Sequence, residues 1–381
     1  VLLVLSARAE AQSLSSRAEA WGQTYRPAGL VNLESRAYAY PWVRAEAQVW
    51  AGATPSADGS GGDVVVLAAH VREPTGHAAL RAGRFVLTTG AVRPVHLDGG
   101  HLRVQADMGA GLELFSGVPV VPRFGARPFD WLLGARASQR LSDVGTLGVS
   151  YVEQRDRGRE VNEEIGADAV LLPVDWVSVS GRWAWDLVSQ GMSEVQVSSA
   201  IGHVERRLEV FGSARNASRI LPATSLFSVL SDSPSVQSGL SGRYRLFPRL
   251  RVEGLSAYRG HAGQHGARMK LSATLFLDDE GAGSLSGEVT RDGVGDSRWT
   301  GVRSMFVREL IHDLRLAAEV ELVVPDDGAG QGGVWPWGRL SARYAFLEHF
   351  ELSAGAEGSS TPQFQRLFQA LFRLAYVGGA T

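Results

Sequence analysis

Residues Val177 to Ser189 read VSVSGRWAWDLVS. Val177, Val179, Gly181, Trp183, Trp185 and Leu187 alternate with Ser178, Ser180, Arg182, Ala184 and Asp186. This is the period of two of a β-strand with one apolar and one polar face. Two architectures use such strands. A soluble sandwich turns the apolar face inward to a packed core, whereas a transmembrane barrel turns it outward to lipid. The choice decides where the charges point.

The same unit recurs from Ser13 to the end of the chain. In Gln237 to Leu246, the residues Leu240, Gly242, Tyr244 and Leu246 oppose Gln237, Ser241, Arg243 and Arg245. In Arg268 to Leu277, Met269, Leu271, Ala273 and Leu275 oppose Arg268, Lys270, Ser272 and Thr274. In Arg315 to Val324, Leu316, Ala318, Val320 and Leu322 oppose Arg315, Ala317, Glu319 and Glu321. Tight Pro-, Gly- or Asp-bearing turns, such as Tyr40-Pro41-Trp42 and Phe247-Pro248-Arg249, alternate with longer polar connections. The longer class is TPSADGSGG (Thr54 to Gly62), RDRGRE (Arg155 to Glu160), GHAGQHG (Gly260 to Gly266) and PDDGAGQGG (Pro325 to Gly333). Short turns at one rim and longer loops at the other are a barrel signature, and the short-turn rim, where the chain starts, is the periplasmic one. Counting segments predicts about 22 strands, within a range of roughly 18 to 24, of about 9–11 residues each.

Composition favours lipid on the apolar side. The apolar faces are rich in Ala, Gly, Val and Leu, which pack a sandwich core loosely but are acceptable against fluid acyl chains. Aromatic residues near segment ends, namely Trp42, Trp50, Trp131, Trp176, Trp335, Trp337 and Tyr376, fit girdles at the two membrane interfaces. No window has the roughly 18 consecutive apolar residues of a transmembrane helix, so a membrane would be crossed by strands. The fold predicted is an all-β, single closed antiparallel transmembrane β-barrel over residues 13–381. Residues 1–12, VLLVLSARAEAQ, read as a signal-peptide remnant, with small residues in A-x-A spacing.

Lysine and arginine number 38 against 40 acidic residues, so net charge implies no nucleic-acid partner. The chain has no Cys, which excludes disulfides, Cys-ligated metal centres and covalently attached c-type haem.

The segment LRAGRFVLTTGAVRPVHLDGG (Leu80 to Gly100) resembles Gram-negative outer-membrane porin-like proteins. Several such families have a strand containing Gly-Arg, a Gly-containing bend, and Asp-Gly leading into the next strand. Here these are Gly83-Arg84, Gly90 and Asp98-Gly99. The resemblance implies a channel in the outer membrane of a Gram-negative bacterium, with membrane lipid outside and small polar solutes inside.

Catalytic constellations are lacking, so the chain is read as a non-enzyme without cofactor. Gly328 to Gly333 lacks the Lys-Ser/Thr of a nucleotide loop and reads as a hairpin loop. His261 with His265, and His96 with His101 about Asp98, fall in stretches read as loops, where bland roles outweigh metal binding. Glu163 and Glu164 read as solvated loop charges.

If the polar faces point inward, the pore is lined by cations at Arg44, Arg136, Arg182, Arg243, Arg245, Arg268, Lys270, Arg315, Arg339 and Arg343. Anions accompany them at Glu46, Asp107, Asp186, Glu194, Glu319, Glu321 and Glu351. Such mixed signs pair across strands and give modest ion preference. Barrels of this size are normally plugged, so something must narrow the hole. Asn216 to Pro234, with Arg219, Leu226 and Phe227 at the narrowest point, is the first candidate, and Gly117 to Pro128 the second. Two functions follow. The first is a porin-like channel for diffusion of small polar solutes or ions. The second is a structural sheath holding a periplasmic or lumen-inserted partner, such as a multihaem cytochrome conduit or an export component.

Overall fold

The computed structural model describes residues 13–24, 28–55, 59–120, 130–215, 235–261, 263–278, 282–311, 313–326, 333–360 and 367–380. Twenty-two strands form one antiparallel sheet, each bonded to its neighbours in chain order. The first, β1 (Ser13–Gln23), pairs with the last, β22 (Leu367–Ala380), and the sheet closes into a barrel. Closure leaves no sheet edge at the seam, the condition for a β-structure to sit in hydrocarbon. The expected all-β barrel of about 22 strands is therefore the fold observed. The signal-peptide reading of residues 1–12 lies outside the described residues.

The alternation places the faces as the patterning requires. Leu67, Val149, Met269, Leu271, Leu340 and Phe368 point outward with more than half of their surface free, as lipid-facing side chains do in an isolated chain. In β11 (Val177–Asp186), Trp183 and Trp185 lie together on the outside with ring centroids 6.3 Å apart, while Arg182 points inward to Glu194 at 2.6 Å. Near the short-turn rim a row of outward aromatic rings runs Tyr344, Phe346, Phe350, Tyr376, with successive centroids 6.0, 5.6 and 5.2 Å apart.

Several expectations are corrected. Trp50 of β3 (Val43–Ala53) and Trp335 and Trp337 of β20 (Trp335–Phe346) share the inward face with Glu46 and Arg339 rather than joining an outer girdle. There the ring is held by a cation: the Arg339 guanidinium lies 5.9 Å from the Trp337 centroid, a favourable cation–π distance. Arg155 to Glu160 and Gly260 to Gly266 are not long loops. Strand β9 (Gly145–Asp156) runs into β10 (Arg159–Val174) through Arg157 and Gly158, both at positive φ (52° and 70°), the backbone of a two-residue hairpin turn. Likewise β15 (Leu250–His261) and β16 (Gln264–Phe276) stay paired up to His261 and Gln264. The polar composition belongs to strands that extend beyond the apolar belt. On the opposite rim, the turn after β4 (Ser60–Arg72) is stiffened by Glu73, which accepts from the Thr75 hydroxyl and the His77 N–H; these donors hold its carboxyl below the usual range.

The seam carries one charge cluster. Arg373 of β22 reaches Glu19 of β1 at 2.5 Å and Glu351 of β21 (Phe350–Ser359) at 2.6 Å, all three largely shielded from solvent. Removing one partner of a shielded, hydrogen-bonded ion pair costs more than a surface pair is worth. We expect Arg373→Ala to destabilise the closed barrel by about 1.5–3 kcal/mol, the range for hydrogen bonds to charged groups. The measurement is the temperature at which heat-modifiable migration is lost on gels, and an unchanged transition would show that closure is independent of this cluster.

Candidate functional site

Among the described residues the barrel wall is interrupted at one place, in the stretch Leu80 to Gly100. The ladder between β4 and β5 (Ala78–Thr89) ends at the pair Leu67 and Arg84. The ladder between β6 (Val92–Gln105) and β7 (Ala110–Pro119) begins only at Leu97 and Pro119. Between these points β5 and β6 have, among the described residues, no ladder partner but each other, from Phe85–Leu97 to Thr89–Val92, as a hairpin turned into the lumen; the Val120 N–H donates to the His96 carbonyl at its root, at 2.8 Å.

The cause is a reversal of the binary pattern. Lower in the wall, Leu80 of β5 and Leu102 and Val104 of β6 face outward. Continued straight, the same parity would send Arg84, Thr88, His96 and Asp98 to lipid, and Phe85, Leu87, Val95 and Leu97 to lumenal water. A charged side chain alone costs roughly 2.5–3.5 kcal/mol at the centre of a membrane. The hairpin instead folds inward, where Phe85 and Leu97 become fully buried and Leu87, Val92 and Val95 nearly so. They pack on Phe115 of β7, Leu132 of β8 (Trp131–Leu141) and Val152 of β9, which face the lumen. Glycine permits the departure: Gly83 has φ +121°, and a Cβ there would lie 2.1 Å from the Leu67 carbonyl oxygen. Where β6 regains the wall, a Cβ on Gly99 would meet the Ser116 carbonyl oxygen at 2.1 Å.

Polar contacts fix root and tip. At the root, Arg84 forks onto Asp98 with two bonds of 2.7 Å and reaches Asp63 at 3.2 Å. It also donates to the Val64 carbonyl at 3.1 Å, while the His96 Nε2 lies 2.5 Å from the Val65 carbonyl. Those two bonds cap β4 along Ser60–Val66, which has no strand neighbour on this side. At the tip, the Thr89 hydroxyl donates to Glu113 at 2.7 Å. Glu113 also accepts from Arg136 at 3.0 Å, and Arg136 forks onto Asp168 at 3.0 and 2.6 Å. Gly90, at φ +49°, leaves no room for a side chain, since its Cβ would stand 2.2 Å from Asp168. Arg93 lies buried 3.2 Å from Glu164 of β10, with buried Asn162 and Ser193 beside them.

The sequence-predicted pore residues divide by position. Arg44, Glu46, Arg136, Arg182, Glu194, Arg243, Arg268, Lys270, Glu319, Arg339, Arg343 and Glu351 stand on the inward face, and all of them sit in ion pairs. Glu321 and Arg315 share the inward face of β19 (Leu314–Pro325) with Glu319. Arg245 pairs with Glu205 at 2.8 Å near the short-turn mouth, and Asp186 accepts from the Val188 and Ser189 N–H groups at the other rim. Asp107 is the exception: it sits in the β6–β7 turn, exposed, 2.8 Å from His77. His96 and His101 are strand residues rather than loop residues, and His101 lies 3.0 Å from Glu113. Glu164, read as a solvated loop charge, is buried. Among the described residues no group of three or more His, Asp or Glu is placed to hold a metal ion.

The candidates Arg219, Leu226 and Phe227, and most of Gly117 to Pro128, lie outside the described residues. The element that narrows the lumen among those described is the β5–β6 hairpin. Its signal was legible as a parity break at Arg84 and Asp98, inside the segment that carried the porin-like resemblance.

No family model and no curated relative matches the chain. Among solved structures, the translocation pore of the P pilus usher PapC matches with a TM-score of 0.54 at 10% identity, over 97% of this chain and 99% of that one. A second structure of the PapC translocation pore gives 0.50 at 9% identity, again over 97% and 99%. OccAB3 of Acinetobacter baumannii gives 0.45 at 10% identity over 97% and 98%. At such identities the likeness is one of fold. The chain has the fold of outer-membrane β-barrel channels.

Phe85→Ala removes the buried anchor of the hairpin, a change worth about 3–5 kcal/mol in a packed core. In a chain without native cysteine, Val92→Cys is a clean reporter, since Val92 is buried under the tip. We expect slow maleimide labelling of that thiol alone and fast labelling when Phe85→Ala is added; equal rates would show that Phe85 does not hold the hairpin.

Proposed function

We propose that the protein is an outer-membrane channel of a Gram-negative bacterium through which small polar solutes diffuse, with the inward hairpin narrowing the passage from one side. One observation carries this reading. Among the described residues the hairpin tip docks on the wall from β7 to β12 (Gly191–His203), while the facing wall keeps its charges open to the lumen. On that facing wall Arg243, Arg339 and Arg343 leave 44, 46 and 58% of their side chains exposed although each is ion-paired. Paired charges at a wet wall keep water in the lumen without offering a deep trap, which suits passage better than storage. The outward rings and apolar belt supply the lipid contact.

Reconstitution into planar bilayers tests the proposal. The intact chain is expected to give discrete conductance steps, and replacing Phe85 to His96 by two glycines to enlarge them several-fold. Silence from both would overturn the channel reading and favour a sheath whose lumen is filled by a protein partner. Equal conductance of the two would instead remove the hairpin from the passage.

A further inference from the structure

Five of the ten tryptophans stand in the lumen at one end of the barrel. Trp299 is the third residue of β18 (Ser297–Ile311), and Trp335 and Trp337 are the first and third of β20. Trp21 and Trp50 lie among the last four residues of β1 and β3. All five therefore sit at the rim opposite the turns Tyr40 to Trp42 and Phe247 to Arg249. Register fixes their face. Trp21 pairs with Arg373 of the seam cluster and donates its indole N–H to Glu19 at 3.2 Å. Trp50 follows inward Glu46 by four residues, and Trp337 pairs with Glu321. Trp299 precedes Arg303 by four, and Arg303 is ion-paired with inward Glu319. The other five are placed differently: Trp42 and Trp176 on the short-turn rim, and Trp131, Trp183 and Trp185 on the outer face.

Hydration alone asks for the opposite placement. A wet lumenal wall favours polar side chains, and an indole there forgoes roughly 25 cal/mol for each Å2 of apolar surface left in water. Trp21 keeps 42% of its surface exposed. Amide and carboxylate groups stand beside the rings. Asn32 of β2 (Ala28–Tyr40), the register partner of Trp50, accepts from Gln48 at 3.3 Å. Glu357, the register partner of Arg339, accepts from Gln369. An aromatic face flanked by planar polar groups is the surface that a sugar ring matches. A pyranose has a face of C–H groups that lies flat on an indole, and a rim of hydroxyls that each donate and accept. The rings recur on alternate strands, β18 and β20, then β1 and β3, and strands two apart stand about 10 Å from each other. That spacing fits successive rings of a chain rather than a single sugar. The hairpin tip rests on β7 to β12, so the sector from β18 through the seam to β3 is the side it leaves open.

We propose that this tryptophan-bearing sector of the mouth binds short, linear, neutral oligosaccharides by stacking and feeds them to the passage beside the hairpin. Neutral sugars are specified because the charges beside the rings are already matched to one another. Arg373, 5.1 Å from the Trp21 centroid, is held by Glu19 and Glu351, and Arg339, beside Trp337, is held by Glu319. The feeding step rests on the reading of the barrel as an open channel and names its solute class, whereas binding at the mouth does not depend on conduction.

The test uses the purified full chain in planar bilayers with maltotetraose, glucose and a polyethylene glycol of the tetrasaccharide's mass as probes. Saturation-transfer NMR follows maltotetraose on the same folded barrels in a detergent without a sugar headgroup. Maltotetraose is expected to reduce the current at about tenfold lower concentration than glucose or the polymer. Trp337→Ala should weaken that effect about tenfold and Trp337→Phe less, while Trp183→Ala on the outer face should leave it unchanged. Heat-modifiable migration checks the fold of each variant, and Trp50→Ala, on a different strand, gives the same reading where Trp337→Ala does not fold. Equal action of maltotetraose and the polymer, or a sugar effect indifferent to Trp337→Ala and Trp50→Ala, overturns the stacking site while leaving the channel intact. A silent barrel that still gives saturation transfer, lost in Trp337→Ala, overturns the open channel and keeps the site. A barrel that conducts but gives no saturation transfer also overturns the site.

Discussion

Everything in this molecule follows from the backbone amides having no water to bond to where the wall meets hydrocarbon. Each N–H and carbonyl must find a partner in the neighbouring strand, so the sheet must close, and it does so between β1 and β22. Closure then makes the two faces of every strand inequivalent. Small and aliphatic residues take the outside, and the arginines and carboxylates are left to neutralise one another around the lumen. The ion pairs are a consequence of the topology: with nearly equal numbers of both signs on adjacent strands, almost every inward cation meets an anion.

Among the described residues the hairpin is the one place where this logic is broken, and it is broken by sequence. Arg84 and Asp98 stand where lipid-facing residues belong, while Phe85, Leu87, Val95 and Leu97 occupy the inward parity. Neither face can be satisfied in the wall. Folding into the lumen buries the apolar row and lets the two charges pair with each other. The price falls on β4, whose upper backbone loses a neighbour and is capped instead by the side chains of Arg84 and His96. The residues that force the hairpin out of the sheet are thus the ones that mend the gap it leaves.

Period-two alternation is a strong local signal, which is why VSVSGRWAWDLVS told the barrel and its faces, and why Trp183, Trp185, Arg182 and Asp186 stand where the pattern sends them. Composition was a weaker guide at the rims. Arg155 to Glu160 and Gly260 to Gly266 look like loops because they are polar and glycine-bearing, yet their strands pair through to two-residue turns, outside the region where apolar residues are demanded. Aromatic position along a strand did not reveal its face: Trp50, Trp335 and Trp337 lie near strand ends but on the lumenal parity. Glu164 was illegible because its burial comes from Arg93, a residue of a distant strand.

That long-range contact also bears on how the barrel comes together. The root of the hairpin is set in β4 to β7, but its tip rests on β7 to β12, most of which lies later in the chain. A wall built simply by adding each strand to its predecessor would complete the first part of the barrel with a bare, greasy hairpin waiting in solvent. The docking surface exists only once β10 is in place, so the strands that carry the hairpin gain their full cohesion from strands that follow them. High contact order of this kind slows folding and makes it more cooperative. Such a barrel is suited to being released into the membrane as a finished object rather than stave by stave.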